Sequence, residues 1–401
     1  MNPLVLAALL ARSASAQPAL IPQLDDPAGF ALTLYQQVAA DPDGGNVLVS
    51  PLSAREAVGL AYIGARGATA DGLSRALRAG RRDDFAAAAE RTRADLRDAD
   101  PRVEVRTATS LWLRSDWKFL PDYVHRAQDG FGAEVFRRDF SAKTVHEVNG
   151  WVTKQTHGRI STILDSLDPK NDAAVLLNAI YFRGDWRRAF DEKRTKDRDF
   201  HLASGKIVQS PRMAFGRTYD DARFDYAEDE NLQAVSLPYG SGRLKMILVL
   251  PAKPSTLAAL NARLSGVWWR TLRSHMRPRT GVVEIPRFKF KREMSLNASL
   301  IAMGASAAFD RRSADFRDMA EAKRPADMLY ISRVFQKAEI EVNETGTIAS
   351  AATSALIAVR GSAMRQGPPP FVFVADRPFL FAIEDGGTGA LLFVGAVQDP
   401  R

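Results

Sequence analysis

Along the first part of the chain, apolar positions recur every three to four residues. Along most of the rest they alternate or run on unbroken. Phe30, Leu34 and Val38 share one face of Asp26–Ala40, and its Asp-Pro start is a helix-opening signal. A turn at Asp41–Gly45 leads to a short buried strand, Asn46–Ser50, and Pro51-Leu52-Ser53 opens a second helix that continues through AREAVGLAYIG. A helix restarts near Thr69. Further amphipathic helices are predicted at Asp83–Leu96, Pro121–Asp129 and His146–Thr156, with a strand at Val103–Leu113. Asp172–Phe182 is a near-continuous apolar run, which predicts a central strand covered on both faces. β patterns follow at Glu230–Leu237, Leu244–Leu250 and Gly281–Phe290, broken by helices at Leu257–Ser265 and Leu296–Met303. Strands at Leu329–Val342, Phe371–Ile383 and Ala390–Val397 close the chain, the last two joined by a turn at Glu384–Gly387. No repeat or linker divides this pattern. Helices first and strands afterwards predict one α+β domain.

One stretch fits none of these patterns. From Thr345 to Val359 there is no charged side chain in 15 residues, and between Thr347 and Ser354 every residue except Ile348 is small or a threonine. An alanine-rich buried helix is one reading. A polar linker is a second, although Leu356, Ile357 and Val359 are too apolar for it. The third is a segment that becomes a strand only in some states. Small uncharged side chains enter a slot buried on both sides without an ion-desolvation cost.

With 401 residues, 46% hydrophobic and 25% charged, the chain suits a globular protein with a large core. No stretch is long enough to span a bilayer as a helix. The formal net charge is +8. Clusters such as Arg78, Arg81 and Arg82, or Arg183, Arg187 and Arg188, offer a surface to polyanions, but interleaved Asp and Glu favour an ordinary solvated face. Cysteine is absent, which excludes disulfides, thiol catalysis and Cys-based zinc sites. Leu4–Ala11 followed by Ala14-Ser15-Ala16 predicts an export signal over residues 1–16, so the mature chain starts near Gln17 in the periplasm or outside the cell; the segment before Leu4 has no Lys or Arg.

Catalytic chemistry is not visible. The five histidines His125, His146, His157, His201 and His275 have no metal-ligand spacing, and no G-x-S-x-G, P-loop or H-E-x-x-H motif occurs. Gly386-Gly387-Thr388-Gly389 lies between two strands and opens no helix, so it is not a phosphate loop. No cofactor or metal is expected.

Several separated segments then line up with one family. Asn46-Val47-Leu48-Val49-Ser50-Pro51-Leu52-Ser53, Gly64-Ala65-Arg66-Gly67 with Thr69, and Asn178-Ala179-Ile180-Tyr181-Phe182-Arg183-Gly184-Asp185-Trp186 resemble serpin blocks. So do Leu237-Pro238-Tyr239, Ile285-Pro286-Arg287-Phe288, Met303-Gly304 with Ala308-Phe309, and Ala314-Asp315-Phe316. Ala375-Asp376-Arg377-Pro378-Phe379-Leu380-Phe381 is similar to the family's C-terminal signature. The chain therefore resembles a serpin over nearly all of its mature length.

That resemblance implies a single domain over 17–401, with three β-sheets, about nine helices and an exposed reactive-centre loop at about 344–370. Glu344, Thr345, Gly346 and Thr347 match the hinge, and Ala349, Ser350, Ala351, Ala352 and Thr353 the small-residue run. Family spacing makes Arg360–Gly361 the scissile bond; because Gly361–Pro370 is long for the family, Arg365 is the second candidate. A sheet-opening region of Ser50, Ser53, Asn178, Trp186 and Gln336 is implied as well. For Asn178 and Trp186 a plain core role stands beside that one. Gln336 stands where many members carry His, with Ser50, Ser53 or Asn178 as partners for its amide. Thr345 and Ile348 stand where inhibitory members often carry Glu, and Gly346 is expected to permit the hinge turn. The implied function is suicide inhibition: a monomer, not an enzyme, that traps a trypsin-like serine protease covalently. The alternative is a non-inhibitory serpin that is only cleaved or only binds.

Overall fold

The computed structural model describes residues 25–40, 45–97, 99–168, 172–215, 223–321, 329–347 and 369–401. The expected export signal and most of the Asp41–Gly45 turn lie outside them. In chain order the elements are α1 (Pro27–Ala39), β1 (Val47–Val49), α2 (Pro51–Tyr62), α3 (Gly67–Leu77), α4 (Arg82–Arg97), β2 (Val103–Arg114), α5 (Pro121–Phe131), β3 (Glu134–Arg138), α6 (Ala142–Gln155) and β4 (Ala174–Asp185). Then follow β5 (Lys196–His201), β6 (Ile207–Phe215), β7 (Arg223–Glu228), β8 (Leu232–Pro238), β9 (Leu244–Pro251), α7 (Leu257–Arg263), α8 (Gly266–His275), β10 (Arg277–Pro286) and β11 (Phe288–Ser295). α9 (Asn297–Leu300) runs through a π-turn, Ile301–Ala305, into α10 (Ser306–Phe309). The chain closes with β12 (Phe335–Val342), β13 (Gly346–Thr347), β14 (Phe371–Val374), β15 (Phe379–Asp385) and β16 (Leu391–Val397).

Local chemistry explains the helix starts. Asp26 accepts a hydrogen bond from Gly29 N at 3.1 Å with Pro27 in the first turn, and Ser50 caps α2 ahead of Pro51. Among the described residues the strands form three sheets. The central one has the order β11-β12-β13-β4-β2-β3. A second runs β1-β16-β15-β9-β8-β7-β10, and the far half of β10 carries it on into a third with β14, β6 and β5. α2 packs under the central sheet, and α6 lies across its other face. Leu177 and Ala179 of β4 join Val148, Trp151 and Val152 of α6, while Phe182 points into the core between the sheets with Tyr239, Leu248 and Phe381. β4 is thus covered on both faces, as its unbroken apolar run requires.

Four predicted elements differ. Gly281–Phe290 is not one strand: β10 ends at Pro286, which has no N–H to continue a ladder, and Phe288 starts β11 in another sheet. Phe371–Ile383 likewise divides into β14 and β15 ahead of Pro378, and β14 pairs in parallel with β10. β12 begins at Phe335 rather than Leu329, and α6 begins at Ala142, next to Ser141, rather than at His146. β3, β5, β6, β7 and α8 are additional elements. β5 (KDRDFH) buries only Phe200, so its outward charges hide the alternation.

Candidate functional site: the hinge and the central sheet

β4 pairs with β2 along its length and β12 with β11, yet among the described residues no ladder joins β4 directly to β12. β13 stands between them at one end, with Thr347 opposite both Val342 and Gly184, and Gly346 opposite Asp185. The last two residues of the candidate hinge, Gly346 and Thr347, thus form a short strand in the middle of the sheet.

The turn that puts it there runs from Asn343 to Gly346, with Asn343 N donating to Gly346 O at 3.0 Å, and Gly346 takes no left-handed conformation in it. Asn343 Oδ1 accepts from Thr345 N (3.1 Å), Thr345 Oγ1 (2.9 Å) and Gly346 N (3.2 Å). Gly346 is needed for a different reason: a Cβ there would stand 2.1 Å from Gly184 O. Trp186 Nε1 donates to Asn343 O at 2.9 Å, and its ring stacks on Tyr239 with centroids 4.4 Å apart. The Tyr239 hydroxyl meets Thr347 Oγ1 at 2.6 Å, and burial pushes that phenol far above its ordinary range, so it stays neutral. The buried Glu344 carboxylate accepts from Arg287 Nε at 2.6 Å and from the Thr195 hydroxyl. Arg287, Tyr239 and Thr195 were not singled out in the sequence as contacts of the hinge; each comes from a distant element.

Further along the sheet, Ser50, Ser53, Asn178 and Gln336 come together as expected, all buried. Gln336 clamps the start of α2: its Oε1 accepts from Ser50 N at 2.9 Å and its Nε2 donates to Ser50 O at 2.8 Å. Ser53 Oγ donates to Asn178 O at 3.2 Å. The Asn178 amide turns to two residues not anticipated, donating to Thr109 Oγ1 at 2.8 Å and to the Glu56 carboxylate. The network is thus divided: Gln336 holds β12 to the N-terminus of α2, and Asn178 holds β4 one turn further on. Glu56 left a trace in the sequence, being the only acid in the helix PLSAREAVGLAY, three residues after Ser53.

Over the outer face, the turn after α6 reaches both sides of the β4–β12 boundary. His157 packs on Tyr181 of β4 and stands 3.4 Å from Glu104 of β2; Arg159 lies 3.8 Å from both Glu339 and Glu341 of β12. Ala349, Ser350, Ala351, Ala352, Thr353, Arg360, Gly361 and Arg365 lie outside the described residues. Where the chain is described again, Arg279 donates to Pro369 O at 3.2 Å, and Phe371 stacks flat on Tyr226, 3.9 Å between centroids. Of the arginine clusters, Arg78 is 3.7 Å from Asp26 and Arg82 2.9 Å from Asp318. Among the described residues no group of three or more His, Asp or Glu is placed to hold a metal, and no helix is long and apolar enough to cross a membrane.

Residues 26–400 match the family model described as Serpin (serine protease inhibitor). An uncharacterised serpin-like protein of Thermococcus kodakarensis is 31% identical over 378 residues, 93% of this chain and 84% of that one. The leukocyte elastase inhibitor of Sus scrofa is 31% identical over 383 residues, 92% of this chain and 97% of its own. Among solved structures, the native state of the thermophilic serpin tengpin superposes with a TM-score of 0.82 at 26% identity, covering 94% of this chain and 93% of that one.

Proposed function

The chain belongs to the serpin family, and from that premise we propose that it is a suicide-substrate inhibitor of trypsin-like serine proteases. The protease serine attacks the Arg360 carbonyl carbon and the Arg360–Gly361 amide breaks. An acyl-ester then holds the enzyme on Arg360, and Gly361 carries the new amino group. The freed segment Thr347–Val359 continues β13 between β4 and β12, moving the attached protease before water can release it. Serpin loop insertion is itself an established example of strand addition and of strain released by cleavage. Thirteen residues at about 3.3 Å each carry the enzyme roughly 40 Å.

The observation that supports this reading is the position of Gly346–Thr347 between two strands that do not pair with each other. The uncharged run from Thr345 to Val359 agrees with it, since every side chain can be buried without stranding an ion. Arg360 supports the trypsin-like preference by offering a cation to an acidic specificity pocket. The same proposal has the chain exported and residues 1–16 removed, which N-terminal sequencing of the mature protein tests.

Mixing the mature protein with trypsin and running a denaturing gel, with mass spectrometry of the fragments, tests the mechanism and the bond together. The expected result is a covalent band near the summed mass and a released fragment that begins at Gly361. Full cleavage without that band makes the protein a substrate or binding serpin. A fragment starting at Gln366 moves the bond to Arg365.

A further inference from the structure

Glu56 lies on α2 under the central sheet and is 3% exposed. Both donors to its carboxylate sit on strands of that sheet: Asn178 Nδ2 on β4, and Thr109 Oγ1 on β2 at 3.4 Å, each to Oε2. Its other oxygen, Oε1, is buried without a donor, and so is Asn178 Oδ1 beside it. The cluster therefore holds more acceptors than donors, and a proton on Glu56 would relieve that shortage.

The charged groups around it do little to hold an anion. On α2 itself Arg55 is paired with Asp25. On α4 Arg93 acts through its field while donating Nη1 to Gly130 O at 3.0 Å. β2 and β4 present only uncharged Thr109 and Asn178, and the segment after β15 brings uncharged Thr388 and Leu391 to the small cavity that Glu56 lines. Burial pushes the Glu56 carboxyl up to about 7, against the pull of Arg93, Asn178 and Thr109. The closed arrangement is thus a poorer place for the anion than water is.

We infer that Glu56 is a positioning residue for strand insertion: acting through Asn178 and Thr109, it sets how readily β4 and β2 part from α2, and loss of its proton loosens them. The inference rests on the insertion mechanism proposed above. Where that mechanism needs β4 to move away from β12, Glu56 makes the movement depend on pH around neutrality. In the ionised state, any displacement that lets water reach the carboxylate is favoured. In the protonated state the strands rest on a neutral, better satisfied cluster.

The test is hydrogen exchange on the full mature chain at pH 6 and pH 8, corrected for intrinsic exchange rates, in wild type and Glu56→Gln. Between a carboxyl near 7 in the closed sheet and an ordinary one in the open sheet, linkage predicts about tenfold lower protection of the β4 amides at pH 8 than at pH 6. Glu56→Gln keeps the shape and removes the titration, so its β4 protection is flat over this range. Glu56→Ala serves the same purpose if the amide variant does not fold. Wild-type protection that is unchanged or rises with pH, or an equal fall in the variants, overturns the inference.

Uptake of a synthetic peptide, TIASAATSALIAV, followed on native gels separates this from the insertion mechanism. Faster uptake at pH 8 in wild type alone supports both. A pH-dependent β4 with no uptake at either pH overturns insertion and leaves the role of Glu56 in holding β4 standing.

Discussion

Thr347 is 1% exposed and hydrogen-bonded to Tyr239, so under the proposed mechanism the first side chain of the strand to be inserted is already buried. Thr347→Arg would put a cation into that place without a partner, at a cost of several kcal/mol. The expected outcome with trypsin is normal cleavage at Arg360 but no covalent band; undiminished trapping would refute insertion through this position. Gln336 satisfies both backbone groups of Ser50, and all of these are buried. Gln336→Leu leaves Ser50 N without an acceptor, while Ser50 O keeps its bond from Ala54 N at 3.0 Å, and lowers stability by about 1–3 kcal/mol, read as a fall in the urea midpoint at constant slope. Glu56 gives stability a pH dependence with a definite sign. Its carboxyl titrates higher in the folded chain than in the unfolded one, so its contribution is full at pH 4 and lost as pH rises through about 7. Comparing urea unfolding at pH 5 and pH 8 should show wild type losing about 3 kcal/mol relative to Glu56→Gln.

At the scale of elements, the turn after α6 ties β2 and β4 to β12 across the boundary that the proposed insertion would have to widen. Arg159 is partly exposed, so its pairing with Glu339 and Glu341 is worth about 1 kcal/mol or less. Arg159→Ala should therefore speed peptide uptake two- to fivefold and leave the urea midpoint almost unchanged. The elements that the sequence made legible are those whose signals are local. α1 and α2 show their caps and prolines in adjacent residues, and β4 shows its double burial in an unbroken apolar run. β5 and β7 escaped because a short sheet strand with a charged outer face has little alternation to display. Within the site, the candidate hinge Glu344–Thr347 rests on motif order alone. Its partners were not legible, because Arg287 reaches Glu344 and Tyr239 reaches Thr347 only after distant segments have folded together.

For the molecule as a whole, β13 and β14 belong to two different sheets: β13 lies between β12 and β4, and β14 alongside β10. Past the Arg360–Gly361 bond, residues 371–401 supply β14, β15 and β16. Leu380, Phe381, Ile383 and Val394 of these strands are fully buried, and Phe371 is stacked on Tyr226. Peptide-bond hydrolysis there removes a covalent link but none of these contacts. The severed molecule is therefore expected to hold together as a heterodimer of a long and a short chain. It should elute from a sizing column as one species, separate into two only in denaturant, and fail to re-form from the separated fragments as readily as it was cut.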